Sequence, residues 1–123
     1  MMLGAFATAP DILQAHRLRR ELIHAVSAVL GRYDVLMTAC ALDTAPKLGS
    51  DSDWVAPSDS PVQCIPFNVT GHPAISMPTG LSKAGLPMSV QIIGKHFDEP
   101  MVLRVAAALE KLTGWPGPRP PLA

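Results

Sequence analysis

No apolar stretch of the 123 residues approaches the roughly 20 consecutive positions that a membrane-spanning helix needs, because a polar residue or a proline interrupts every run. A membrane span is therefore not expected. Charge of one sign is missing as well: ten Lys+Arg balance ten Asp+Glu, for a formal net charge of +0. A chain so balanced creates no long-range field for polyanions or anionic lipid, so neither nucleic acid nor a membrane surface is expected as a partner. Cysteine is sparse. Cys40 and Cys64 lie in separate segments without Cys-x-x-Cys spacing, which indicates neither a zinc site nor a redox pair, and reduced thiols are expected. Met1 to Pro10 has no basic lead, so a secretory signal is not expected and the expected location is cytoplasmic.

What is present is apolar. Hydrophobic residues make up 48% of the chain against 16% charged, a balance that suggests some apolar surface meets a partner. The length suits a single domain over residues 1–123. Thr8 is placed to cap a helix, with Pro10 in its first turn and Asp11 reaching back to the cap. Apolar residues at Ile12, Leu22, Ile23, Val26, Val29 and Leu30 then recur at helical spacing, which predicts one buried face, and Gly31 is placed to end the helix in a left-handed conformation. Arg17, Arg19, Arg20 and Glu21 form its solvated side.

The apolar run 35–39 reads as a strand covered on both faces, an interior position in a sheet. The chain from Cys40 to Ser60 carries Pro46, Gly49 and Pro57 without a period and reads as a long loop. Ser60, Pro61 and Gln63 signal a short helix ending at Gly71. Residues 74–78 and 88–93 read as an antiparallel pair of strands, and Asp98-Glu99-Pro100 opens a last amphipathic helix closed by Gly114 and Pro116. The tail from Gly117 to Leu122 is expected to lie extended.

Candidate chemistry is thin. His16, His24, His72 and His96 sit on separate elements, or eight residues apart on one helix, so no metal site is expected. Ser76 with Lys83 or Lys95 has the composition of a serine-lysine pair, but Ser76 lies in an apolar strand and both lysines flank glycine-containing turns, which favours structural roles. Cys64, near a helix start, has no histidine beside it in sequence. No cofactor is expected.

The segment Pro66-Phe67-Asn68-Val69-Thr70-Gly71-His72-Pro73-Ala74-Ile75-Ser76-Met77-Pro78-Thr79-Gly80, followed by Gly85 to Gly94, resembles the C-terminal part of amidase signature enzymes. The resemblance continues through Phe97-Asp98-Glu99, the last helix and Trp115 to Pro120, and backward through Tyr33 to Leu36 and the first helix, so it covers nearly the whole chain. It implies an α/β fold, a fragment of the amidase signature fold with a small three-stranded mixed sheet flanked by helices, and the activity of an amide hydrolase or the related amidotransferase subunit. It also implies that Phe67, Asn68 and Gly71 line the substrate pocket, beside the plainer reading that Phe67 fills the core, Asn68 ties a loop and Gly71 ends a helix.

One departure from the family matters most. The catalytic serine, its cis-configured serine partner and the lysine lie in a Gly/Ser-rich stretch and an upstream lysine segment that do not occur here. The nine glycines are isolated, with no Gly-Gly or Ser-Ser pair to build a nest of backbone amides. No catalytic residue carries over. The chain is expected to be a C-terminal fragment or split subunit of an amidase, inactive alone and partnered by an N-terminal amidase chain. The alternative is a stand-alone, self-associating structural or interaction module, a homo-oligomer that keeps this part of the fold.

Overall fold

The computed structural model describes residues 6–42, 44–45 and 63–114. Its elements run α1 (Ala9–Leu30), β1 (Val35–Ala39), α2 (Ile65–Thr70), β2 (Ala74–Leu81), β3 (Pro87–Gly94) and α3 (Glu99–Thr113). The start of α1 is the expected reciprocal cap. The Thr8 amide donates to Asp11 Oδ2 at 2.9 Å and the Asp11 amide donates to Thr8 Oγ1 at 3.4 Å, which satisfies two of the amides a helix start leaves unpaired. Gly71 and Gly114 end α2 and α3 with φ of 75° and 65°, a region costly for residues with a Cβ. Gly31 does not follow them. It stays right-handed, its amide donating to the Ser27 carbonyl at 2.8 Å, so α1 leaves through a tight turn instead.

The α/β class and the three strands appear as expected, but their order is β1-β3-β2 and every pairing is antiparallel, so the sheet is not mixed. A short loop folds β3 back on β2, with the Ser82 amide bonded to the Leu86 carbonyl at 2.8 Å, and β1 docks on the free side of β3 with Val35 opposite Gly94. The interior strand is therefore β3, not β1. Gln91, Ile92, Ile93 and Gly94 are all buried, whereas Met37 in β1 is 52% exposed. A short apolar run does not distinguish a strand covered on both faces from an edge strand with one face covered.

Alternation along the strands gives the sheet two unlike faces. On one, Ile92 packs with Val102 and Ala106 of α3, joined by Val35, Ile75, Met77, Val105 and Leu109. The register places Thr38, Ser76, Gln91 and Ile93 on the other face, where the chain returns through α2. There Gln91 Nε2 reaches both Thr38 Oγ1 at 3.3 Å and the Gln63 carbonyl at 3.5 Å, holding the approach to α2 near β1.

Helix α2 begins at Ile65, with Cys64 at the cap position and no side-chain cap. The expected capping box is not formed by Gln63, which precedes the helix and whose Oε1 is buried without a partner. Ser60 and Pro61, most of the expected loop and the tail after Gly114 lie outside the described residues. The expected buried face of α1 is only partly present: Leu30 is buried, Leu22, Ile23 and Val26 are half-buried, and Ile12, Leu13 and Leu18 are more than half exposed.

Candidate functional site

Two polar clusters share the α2 side of the sheet. The first is built by α2, its exit turn and α1. Arg19 of α1 donates from Nε to the Val69 carbonyl at 2.6 Å and so holds the last turn of α2. Beyond Gly71, the buried His72 has partners on both ring nitrogens: Thr70 Oγ1 lies 2.8 Å from Nδ1, and Ser27 Oγ lies 3.3 Å from Nε2. Thr70 Oγ1 itself donates to the Phe67 carbonyl at 3.3 Å. Since its proton is engaged there, Thr70 accepts from Nδ1–H, and Nε2 is left to accept from Ser27. The His96 ring stacks on His72 with centroids 3.9 Å apart. Burial first, and the charge of His96 second, hold His72 below its ordinary titration range, so it is a neutral imidazole.

A cavity of about 270 Å3 opens beside this pair, lined by Ser27, Leu30, Gly31, His72, Lys95 and His96. A serine donating to a neutral imidazole has the composition of a nucleophile and its base. The third partner is however a hydroxyl and not a carboxylate, so no group here stabilises an imidazolium. The cluster is a satisfied polar joint between α1 and α2.

The second cluster lies where β1 ends. Cys40 Sγ is 2.7 Å from Ser76 Oγ and 3.8 Å from Cys64 Sγ, while the Cys64 thiol also donates to the Cys40 carbonyl at 3.3 Å. The Ser76 hydroxyl, more than any other group, lowers the Cys40 thiol from its ordinary value; Cys64 and Ser89 act in the same direction against the opposing effect of burial. Burial, followed by the neighbouring Cys40, pushes Cys64 up. Both are free thiols. A second cavity, of about 330 Å3, lies past the end of β1 and is lined by Ala39, Ala41, Leu42, Thr44, Ser82, Pro87, Met88 and Ser89; neither cysteine lines it.

The three pocket candidates lie in α2 and at its C-terminal cap but do not share an environment. Phe67 is 9% exposed and anchors the helix, whereas Asn68 and Gly71 are exposed; none of the three lines either cavity. Ser76 meets Cys40 and not a lysine: Lys83 is exposed in the β2–β3 turn and Lys95 borders the histidine cavity. Among the described residues no group of three or more His, Cys, Asp or Glu is placed to hold a metal ion, and no helix is long and apolar enough to cross a membrane. The meeting of Cys40 with Cys64 and of His72 with His96 was not expected, because each pair is joined only through the register of β3. A partial signal was the polar set Thr38, Ser76, Ser89 and Gln91 recurring at alternate positions in otherwise apolar strands.

The model of the amidase family matches residues 1–103. A fatty acid amide hydrolase of Medicago truncatula is 37% identical over 92% of this chain and 20% of its own length. The A subunit of the glutamyl-tRNA(Gln) amidotransferase of Brevibacillus brevis is 36% identical over 98% of this chain and 26% of its own. Among solved structures, a 6-aminohexanoate cyclic dimer hydrolase with bound substrate superposes with a TM-score of 0.82 at 28% identity, covering 94% of this chain and 27% of that one. The corresponding amidotransferase subunit of Thermotoga maritima gives 0.73 at 35% identity, covering 89% and 25%. The chain thus spans between a fifth and about a quarter of the curated relatives named here.

Proposed function

Because the chain belongs to the amidase family, we propose that these 123 residues furnish the C-terminal part of an amide-hydrolysing fold and do not hydrolyse amides by themselves. The nucleophile, its base and the oxyanion donors come from outside them. The observation that carries this reading is the uncovered apolar side of α1, where Ile12, Leu13 and Leu18 are 51%, 61% and 54% exposed. A helix patterned for burial but left bare is the expected state of an element whose cover is another part of the fold. Within that reading, Phe67 seats α2 in the core, while Asn68, exposed on the same helix, offers an amide donor and acceptor toward a substrate cavity completed by the remainder. Gly71 lets the chain turn away without a side chain in that space.

The test is turnover of simple aliphatic and aryl amides by the purified chain. None is expected. Activity that survives repurification and disappears with one point substitution in this chain would overturn the proposal.

The exposed α1 side also favours a second reading, a self-associating module in which a second copy supplies the cover. A stable closed oligomer of this chain alone is the sign of the second reading.

A further inference from the structure

We propose that Cys40 and Cys64 form a reversible intramolecular disulfide on exposure to a small hydroperoxide, with Cys40 as the attacking thiol and Cys64 as the resolving one. The inference goes beyond the amide-hydrolase reading and does not depend on it. It stands first on geometry. The two sulfurs lie 3.8 Å apart although their residues are 24 positions apart in the chain. The structure holds them from two sides: Cys40 directly follows β1, its amide bonded to the Ser89 carbonyl of β3 at 3.3 Å, and Cys64 sits at the start of α2 with its thiol on the Cys40 carbonyl at 3.3 Å. Both are carried by ordered elements, so closing the remaining gap is a matter of side-chain rotation and small adjustment.

The two thiols are unlike in the way the chemistry requires. Hydroxyl donors aimed at Cys40 stabilise its thiolate, Ser76 at 2.7 Å and Ser89 beside it, and the thiolate is the attacking species. Cys64, pushed up by burial, is held protonated until its partner has been oxidised. Both cysteines are only partly buried, which leaves a small oxidant access to the pair from solvent.

In the first step the Cys40 thiolate attacks one oxygen of hydrogen peroxide. An S–O bond forms, the O–O bond breaks, and the departing hydroxide takes a proton from solvent to become water. In the second step Cys64 gives up its proton and its sulfur attacks the Cys40 sulfenic acid. The S–S bond forms, the S–O bond breaks, and hydroxide leaves with that proton as a second water. Two thiols are oxidised and one peroxide is reduced to two waters. The bond formed ties the end of β1 to the start of α2, the helix that carries Phe67 and Asn68 and ends at Gly71.

The 123-residue chain is treated with hydrogen peroxide at neutral pH, quenched with a maleimide, and read by intact mass and by non-reduced peptide mapping. The expected product has lost two hydrogens, takes up no maleimide, contains a Cys40–Cys64 linked peptide, and returns to two reactive thiols on treatment with dithiothreitol. Cys64→Ser is expected to trap a sulfenic acid on Cys40 that reacts with dimedone. In Cys40→Ser, Cys64 is expected to react with peroxide at least about tenfold more slowly than Cys40 does in Cys64→Ser. In concentrated guanidinium the wild-type chain is expected to form the link at least about tenfold more slowly than in buffer, because the preset approach of the sulfurs is lost. Two thiols still reactive under conditions that oxidise free glutathione, linkage only between molecules, or equal rates with and without denaturant would each overturn the proposal. Faster oxidation of Cys64 than of Cys40 would overturn the assignment of roles.

Discussion

At Gly94 the end of the central strand meets α3 with no room for a side chain: a Cβ there would run into Val102 Cγ2 and lie 3.4 Å from the Asp98 carbonyl. Val102 is branched at Cβ and packed in the core, so it has little freedom to move aside. Gly94→Ala is expected to destabilise the chain by about 1–3 kcal/mol through overpacking, read as a lower urea midpoint with an unchanged slope. His72 makes a different demand, on protons. Its folded titration point is depressed by burial and by His96, so as the pH falls the unfolded chain takes up the proton first. The stability that neutral His72 contributes is therefore complete above the ordinary histidine value of 6.5 and is lost as the pH falls from there through the depressed folded value. The urea midpoint is expected to fall between about pH 7 and about pH 5, and His72→Gln is expected to flatten that slope. A steeper slope in the variant would contradict the assignment of a neutral imidazole.

Among the elements, the least obvious contact is that between α1 and α2. Read along the sequence, Arg17, Arg19 and Arg20 look like one solvated face, yet Arg19 turns inward to the Val69 carbonyl. Arg19→Ala is expected to cost about 1 kcal/mol and to speed hydrogen exchange in the amides of α2 more than in those of α3. Unchanged exchange in α2 would mean the bond does not hold the helix. What could be read along the chain was local. The Thr8 and Asp11 cap, the strand at 35–39, the antiparallel pairing of β2 with β3 and the helix ends at Gly71 and Gly114 each depend on a few neighbouring residues. What could not be read depends on register between distant segments. Nothing near Val35 says that its partner is Gly94, so β1 passed for an interior strand. Nothing near Cys40 says that Ser76 and Cys64 arrive beside it. Pocket candidates taken from the resemblance lie in one short helix and its cap, but periodicity within six residues does not show which of them faces a ligand.

For the molecule as a whole, the two edges of the sheet differ. On β2 a break in register between Pro78 and Gly80 blunts the edge, since proline lacks a donor and a bulge twists the strand. The outer edge of β1 has no proline, and Met37 beside it is exposed. Together with the bare side of α1, this favours association of the isolated chain through β1 or α1. Light scattering coupled to size exclusion, run over a wide dilution series, is expected to show a mass above that of one chain; a monomer throughout would mean that these surfaces tolerate water. The strand order carries a consequence of another kind, in time. The sheet is completed by its central strand, and that strand is the last of the three to be synthesised. Among the described residues β1 pairs only with β3, and Ala39, its last residue, lies opposite Val90, so the ribosome must add 51 residues after Ala39 before β1 meets this partner. At ordinary rates of synthesis this is roughly 3–10 s during which an apolar segment waits for β3, long compared with the microseconds a hairpin needs to form. The β2–β3 hairpin, closed by a short loop, is then the template on which β1 docks, and any factor that shields a nascent chain has its greatest effect here in that interval.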